Sequence, residues 1–147
     1  MSTNESQELD THVSSLRNEI ASMSAGDVGV YSTFKGEDFE TRKQVLAALM
    51  DPQPIADNLG KTINLANVIA QAVEVADDNG VLNETVRVIL VDDKGTSYAG
   101  LSDGLFRSIR NIFGILGEPA TWPGPLPVKV TEEKSRKGFR FFTIKVA

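Results

Sequence analysis

The sequence predicts a mainly β protein whose core elements run strand, strand, strand, helix, strand, strand. Three observations carry that expectation. From Ile63 to Gly100, apolar runs alternate with two tight polar turns, Asp77-Asp78-Asn79-Gly80 and Asp92-Asp93-Lys94-Gly95. Their Asn-Gly and Lys-Gly steps supply the positive φ that hairpin turns need. Leu105, Phe106, Ile109, Ile112 and Phe113 then recur at helical spacing,. Finally Leu126–Thr131 and Phe139–Val146 read as two strands around the charged turn Glu132–Gly138.

Taken in order, residues 1–27 form an acidic polar segment. Within it Leu9, Val13, Leu16 and Ile20 lie at helical spacing, which predicts an amphipathic helix over Gln7–Ser22,. Val28–Phe34 predicts a strand. Glu37–Met50 predicts a helix with Phe39, Val45, Leu46 and Leu49 on one face, stopped by Asp51-Pro52-Gln53-Pro54,. Ile55–Gly60 reads as a loop. Ile63–Ala76 is long enough for a bent first strand. Thr85–Val91 is rich in β-branched residues, which suit a pleated, half-buried surface,. A shorter strand runs up to Gly100. Ser102 and Asp103 are good N-caps for the next helix and Gly117 ends it. Glu118–Pro127 carries four prolines around Trp122 and reads as a loop.

This order is that of an OB-fold, a five-stranded, partly open antiparallel barrel with its helix between strands three and four. The expected organisation is a single domain over residues 28–147. Residues 28–60 would be a strand-helix addition and residues 61–147 the barrel. Another small antiparallel α+β sheet is the competing architecture.

Composition bounds the function. The chain has 147 residues, 41% apolar and 24% charged, with no cysteine and one histidine. That is ordinary for a soluble globular domain, and it leaves no disulfide or thiol chemistry. No apolar run approaches the roughly 18 residues of a membrane span. The polar start lacks the pattern of a secretory leader, so a cytoplasmic location is expected. His12 lies in the terminal segment, there is no Gly-rich phosphate loop, and the Asp pairs sit in turns. No catalytic site, metal site or cofactor is expected.

Charge is uneven. Residues 1–100 hold 7 Lys and Arg against 16 Asp and Glu, whereas residues 101–147 hold 8 against 4. A basic end on an acidic chain can mark a nucleic-acid footprint. Lys129, Lys134, Arg136, Lys137, Arg140 and Lys145 crowd the last two strands, and Phe139 and Phe141 interleave with them. By alternation Phe142, Ile144 and Val146 share the core face, which turns Phe139 and Phe141 outward. Exposed rings stack on bases with little regard to sequence, and cations follow the phosphates. Arg87 is placed to extend the charged track. Tyr98 is read either as a stacking residue or as a rim residue of the barrel. Trp122 is read either as a stacking finger or as a lid over the barrel end. The competing function is a protein-interaction module in which the Phe139/Phe141 face is covered.

One further pattern spans residues 61–147. It runs Ala66-Asn67, Ile69-Ala70-Gln71, Val75, Asp77, Gly80 and Glu84-Thr85-Val86. It continues through Ile89, Asp93, Gly95, Tyr98 and Ser102 to Val128-Lys129-Val130, Ser135, Lys137-Gly138 and Phe141-Phe142. In order and spacing it resembles the single-stranded DNA-binding proteins of small Bacillus phages that replicate linear genomes by protein priming. The resemblance implies an OB-like barrel that coats single strands during phage DNA replication in the bacterial host cytoplasm. It implies single-stranded DNA as partner, with phage replication proteins as further ones. It also implies stacking tyrosines, of which Tyr98 carries over, while the other positions hold Ala72 and Asn79.

Overall fold

The computed structural model describes residues 30–147. The predicted Gln7–Ser22 helix, His12 and the first two residues of the Val28–Phe34 strand lie outside the described residues. Seven strands and two α-helices follow in the order β1 (Val30–Ser32), α1 (Phe39–Met50), β2 (Gln53–Pro54), β3 (Thr62–Ala76), β4 (Leu82–Asp92), β5 (Ser97–Leu101), α2 (Asp103–Leu116), β6 (Leu126–Lys134) and β7 (Arg140–Val146). They form one curled sheet in the order β2-β5-β4-β3-β6-β7, with β1 paired to β3.

Two expectations need correcting. The sheet is mixed rather than purely antiparallel, because β2 pairs parallel with Tyr98–Ala99 of β5. It also has more than five strands, since the segment read as a helix stop contains β2. A proline there is tolerated because β2 is an edge strand,. The loop expected at Ile55–Gly60 contains a 3-10 turn over Ile55–Asn58, and Ile55 is buried in the core.

The curl originates in β3, which changes partners along its length. Thr62–Leu65 pairs with β6, and Leu65–Ala76 pairs with β4. Between Leu65 and Asn67 the register against β4 shifts, the signature of a bulge that bends a strand. Thr33, just past β1, caps the irregularity. Its hydroxyl accepts from Val68 N–H at 2.8 Å and donates to Asn67 Oδ1 at 2.9 Å.

Inside the curl, Val68 and Ala70 of β3 meet Val86, Val88 and Leu90 of β4, together with Leu105, Phe106 and Ile109 of α2. The intervening residues Ile69, Ile89 and Val91 face the other way and are buried as well, beneath Ala48 of α1. The centre of β4 is therefore covered on both faces rather than half-buried. This explains why Val88–Val91 is unbroken apolar sequence, since a strand buried on both sides has no polar face to alternate with. The helix rests on Val45, Ala48 and Leu49. Phe39 and Leu46, expected on that face, lie roughly a third of a turn round the helix and are 72% and 56% exposed.

Helix α2 starts and stops where expected. Ser102 Oγ accepts from Leu105 N–H at 3.2 Å. Gly117, at φ 79°, donates its N–H to Phe113 O. The helix lies along the outer edge of β7. A Cβ on Gly104 would sit 2.5 Å from Phe142 O, so only glycine permits this approach. One turn on, Ser108 Oγ accepts from Ile144 N–H at 3.1 Å. No pairing joins β5 to β7; α2 bridges the gap.

Candidate nucleic-acid interface

The β6–β7 hairpin carries most of the predicted site. Its ladder sets Lys129 opposite Lys145, Thr131 opposite Thr143, Glu133 opposite Phe141 and Lys134 opposite Arg140. The turn is closed by Ser135. Its N–H donates to Phe139 O at 2.8 Å, and its hydroxyl accepts from Phe139 N–H at 3.1 Å. Gly138, at φ 87°, completes it. The geometry holds Lys134, Arg136 and Lys137 in solvent.

Phe139 is 71% and Phe141 43% exposed. Alternation turns them outward with Ile144 in the core, as expected, but Val146, expected on the same core face, is 61% exposed. A covered Phe139/Phe141 face was the feature that would have favoured the protein-interaction reading.

The cations divide into two sets. Lys145 Nζ lies 2.7 Å from Glu133 Oε1, and Arg140 Nη1 lies 3.2 Å from Glu132 Oε1. The hydrogen bond from Lys145, helped by that from Thr131, holds the Glu133 carboxyl below the usual carboxylate range. Lys129, Lys134, Arg136 and Lys137 have no ion-pair partner among the described residues. Lys129 and Lys145 stand directly opposite one another, a like-charge pair that is unfavourable by itself and that Glu133 offsets at Lys145.

Three predicted residues sit elsewhere. Tyr98 is 3% exposed within the core. Its hydroxyl accepts from Lys61 Nζ at 3.2 Å, and that ammonium lies 5.3 Å from the ring centroid. The ring is not presented for stacking, because β5 alternation turns it inward toward Leu90. Arg87 is on the opposite face of β4, with both Nη atoms 3.5 Å from Leu49 O at the end of α1. It serves helix α1 rather than the hairpin track, because odd positions of β4 face α1. Trp122 donates from Nε1 to Gly117 O at 3.0 Å and meets Phe113 edge-on, with centroids 6.2 Å apart. These contacts pack the indole against the C-terminal end of α2. The stacking-finger arrangement would require this indole to leave its partners.

Sequence reasoning missed a groove of about 570 Å³ between the start of α2 and the hairpin, lined by Leu101, Asp103, Arg107, Glu132, Arg140 and Phe141 among others. Arg107 lies off the apolar stripe formed by Leu105, Phe106 and Ile109. Nothing local in the sequence signals that α2 and β7 lie side by side. Gly104, a glycine in the first turn of a helix, is the one trace of that approach.

A family model of phage single-stranded DNA-binding protein, of the Phi29 type, matches residues 25–147. The chain belongs to this family. The match takes in every described element of this phage single-stranded DNA-binding protein family member, α1 and β2 included. Among curated proteins and among solved structures, none matches the chain.

Proposed function

We propose that this protein binds single-stranded DNA without enzymatic activity and with little regard to sequence, during phage DNA replication in the host cytoplasm. The observation that carries the reading is the exposed Phe139/Phe141 pair on the β6–β7 hairpin with four cations that have no ion-pair partner among the described residues, in a chain of the phage single-stranded DNA-binding family. Phe139 and Phe141 stack on bases. Lys129, Lys134, Arg136 and Lys137 neutralise phosphates, and Lys145 and Arg140 join them once their carboxylate partners are displaced. Each stacked base contributes roughly 1–3 kcal/mol, so two rings and a few phosphate contacts suffice to hold a strand. The curled sheet acts as an OB-like barrel over residues 61–147, with residues 28–60 added to it. Coating the strand protects it and removes its secondary structure, and replication proteins then meet it in that form.

The test is gel mobility with oligo-dT against duplex of equal length, at low and high salt, with Trp122 fluorescence followed in parallel. Tight single-strand binding that weakens as salt rises, with little duplex binding, is expected. Absence of binding at low salt would sink the reading.

A further inference from the structure

We propose that the groove between α2 and the β6–β7 hairpin seats one nucleotide of the bound strand, with Arg107 on its phosphate and Phe141 against its base. This rests on the single-stranded DNA reading and extends it to a residue on a different element.

The placement of Arg107 follows from the helix. Residues three and four apart share a helix face. A Cβ added to Gly104 would meet Phe142 O at 2.5 Å, and Ser108 accepts from Ile144 N–H. Arg107 lies between them in sequence and lines the groove from the α2 side, while Arg140 and Phe141 line it from β7.

The charges then single out one cation. Arg140 is held by Glu132 at 3.2 Å. Asp103 Oδ1 accepts from Thr85 Oγ1 at 3.2 Å. Arg107 is exposed and has no ion-pair partner among the described residues. A guanidinium offers a planar fork that fits a phosphate. Leu101 and Phe141, 52% and 43% exposed, supply an apolar wall. The groove volume falls within the roughly 300–1,000 Å³ of small-ligand sites. Because Arg140 and Phe141 belong both to this groove and to the hairpin track, a strand on the hairpin continues into the groove.

The experiment is fluorescence anisotropy of a labelled oligo-dT over a range of salt. It compares wild type, Arg107→Ala, Arg107→Lys and Arg42→Ala, the last removing equal charge from α1, which does not line the groove. Arg107→Ala should weaken binding about tenfold, as loss of a charge-assisted contact does. The slope of log affinity against log salt should become shallower by about 0.7. Arg107→Lys should recover the slope. The double variant with Phe141→Ala should lose less affinity than the product of the two single losses, since both residues hold one nucleotide.

If Arg107→Ala matches Arg42→Ala in affinity and slope, the proposal is overturned while the single-strand reading stands. Fully multiplicative losses would also overturn the shared nucleotide. If wild type itself ignores oligo-dT at low salt, the functional reading fails and the groove proposal with it.

Discussion

The hydroxyl of Ser108 accepts a hydrogen bond at 3.1 Å from the backbone N–H of Ile144. This contact joins α2 to the edge of β7, where another strand would otherwise be needed. An edge strand with free N–H groups is a template for unwanted pairing, and covering it with a helix is one way proteins avoid that. Ser108→Ala leaves the buried N–H of Ile144 without its partner. The expected loss is about 1–3 kcal/mol of stability, read from the urea midpoint at unchanged m-value. An unchanged midpoint would mean that the helix does not hold this edge.

Two glycines of α2 should respond in opposite senses to the same substitution. Gly104→Ala drives a Cβ against Phe142 O and should cost about 1–3 kcal/mol, as overpacking does. Gly114→Ala meets open space in the same helix and should stabilise by roughly 0.5–1 kcal/mol. Thermal unfolding of both variants checks the pair. Equal shifts would contradict the close approach of α2 to β7.

The aromatic residues should separate into binders and core. Phe139→Ala should weaken oligo-dT binding by roughly 1–3 kcal/mol and leave stability nearly unchanged, since the ring is 71% exposed. Tyr98→Ala should behave conversely, with a loss of about 3–5 kcal/mol in stability, the range for a buried aromatic. Binding titrations alongside urea unfolding distinguish the two. A Phe139→Ala variant that binds as wild type would exclude that ring from the interface.

Glu133 competes with phosphate for Lys145. Glu133→Gln removes the carboxylate that now lies 2.7 Å from the ammonium. Affinity for oligo-dT at low salt should rise, and the salt dependence should steepen by about 0.7 in log-log slope as one more cation engages a phosphate. A slope identical to wild type would show that Lys145 stays out of the contact.

Glu118 ties the segment after β1 to the loop after α2. Its Oε2 accepts from Lys35 Nζ at 2.9 Å, and its Oε1 accepts from the Tyr31 hydroxyl at 3.2 Å. The Lys35 hydrogen bond is the chief cause of a carboxyl held below its usual range, against an opposing effect of burial. A carboxyl whose folded pKa is depressed favours the folded state above its unfolded pKa. That contribution disappears as pH falls through the folded value. Wild type should exceed Glu118→Gln in stability near neutrality, by less than about 1 kcal/mol for so exposed a pair. The gap should close in acid below the ordinary carboxylate pKa of about 4.3. Urea midpoints across that range test it, and a gap independent of pH would count against the ion pair.

Local chemistry made much of this fold legible. The turns at Asp77–Gly80 and Asp92–Gly95, the Ser102 cap, the Gly117 stop and the strand periods each depend on residues close in sequence. For that reason the β3–β4–β5 meander, α2 and the β6–β7 hairpin were all expected. The outward Phe139 and Phe141 followed from alternation against Ile144 in the same way. β2 was not legible, because a two-residue parallel pairing has no periodicity of its own. The face of α1 was misjudged because Phe39 and Leu46 are apolar, yet the small Ala48 sets the contact with Ile69 and Ile89.

By itself the sequence determined the order of the main elements from β3 to β7, the basic and aromatic hairpin and the family pattern, since these reside in residue type and spacing. Tertiary structure decided which of those side chains are available. It put Tyr98 inside the curl of the sheet and Arg87 under α1, because strand parity means nothing until one knows what covers each face. It engaged Lys145 and Arg140 with Glu133 and Glu132, because ladder register chooses partners. It also set Arg107 and Phe141 along one groove, because the approach of a helix to a strand far apart in the chain depends on how the sheet curls.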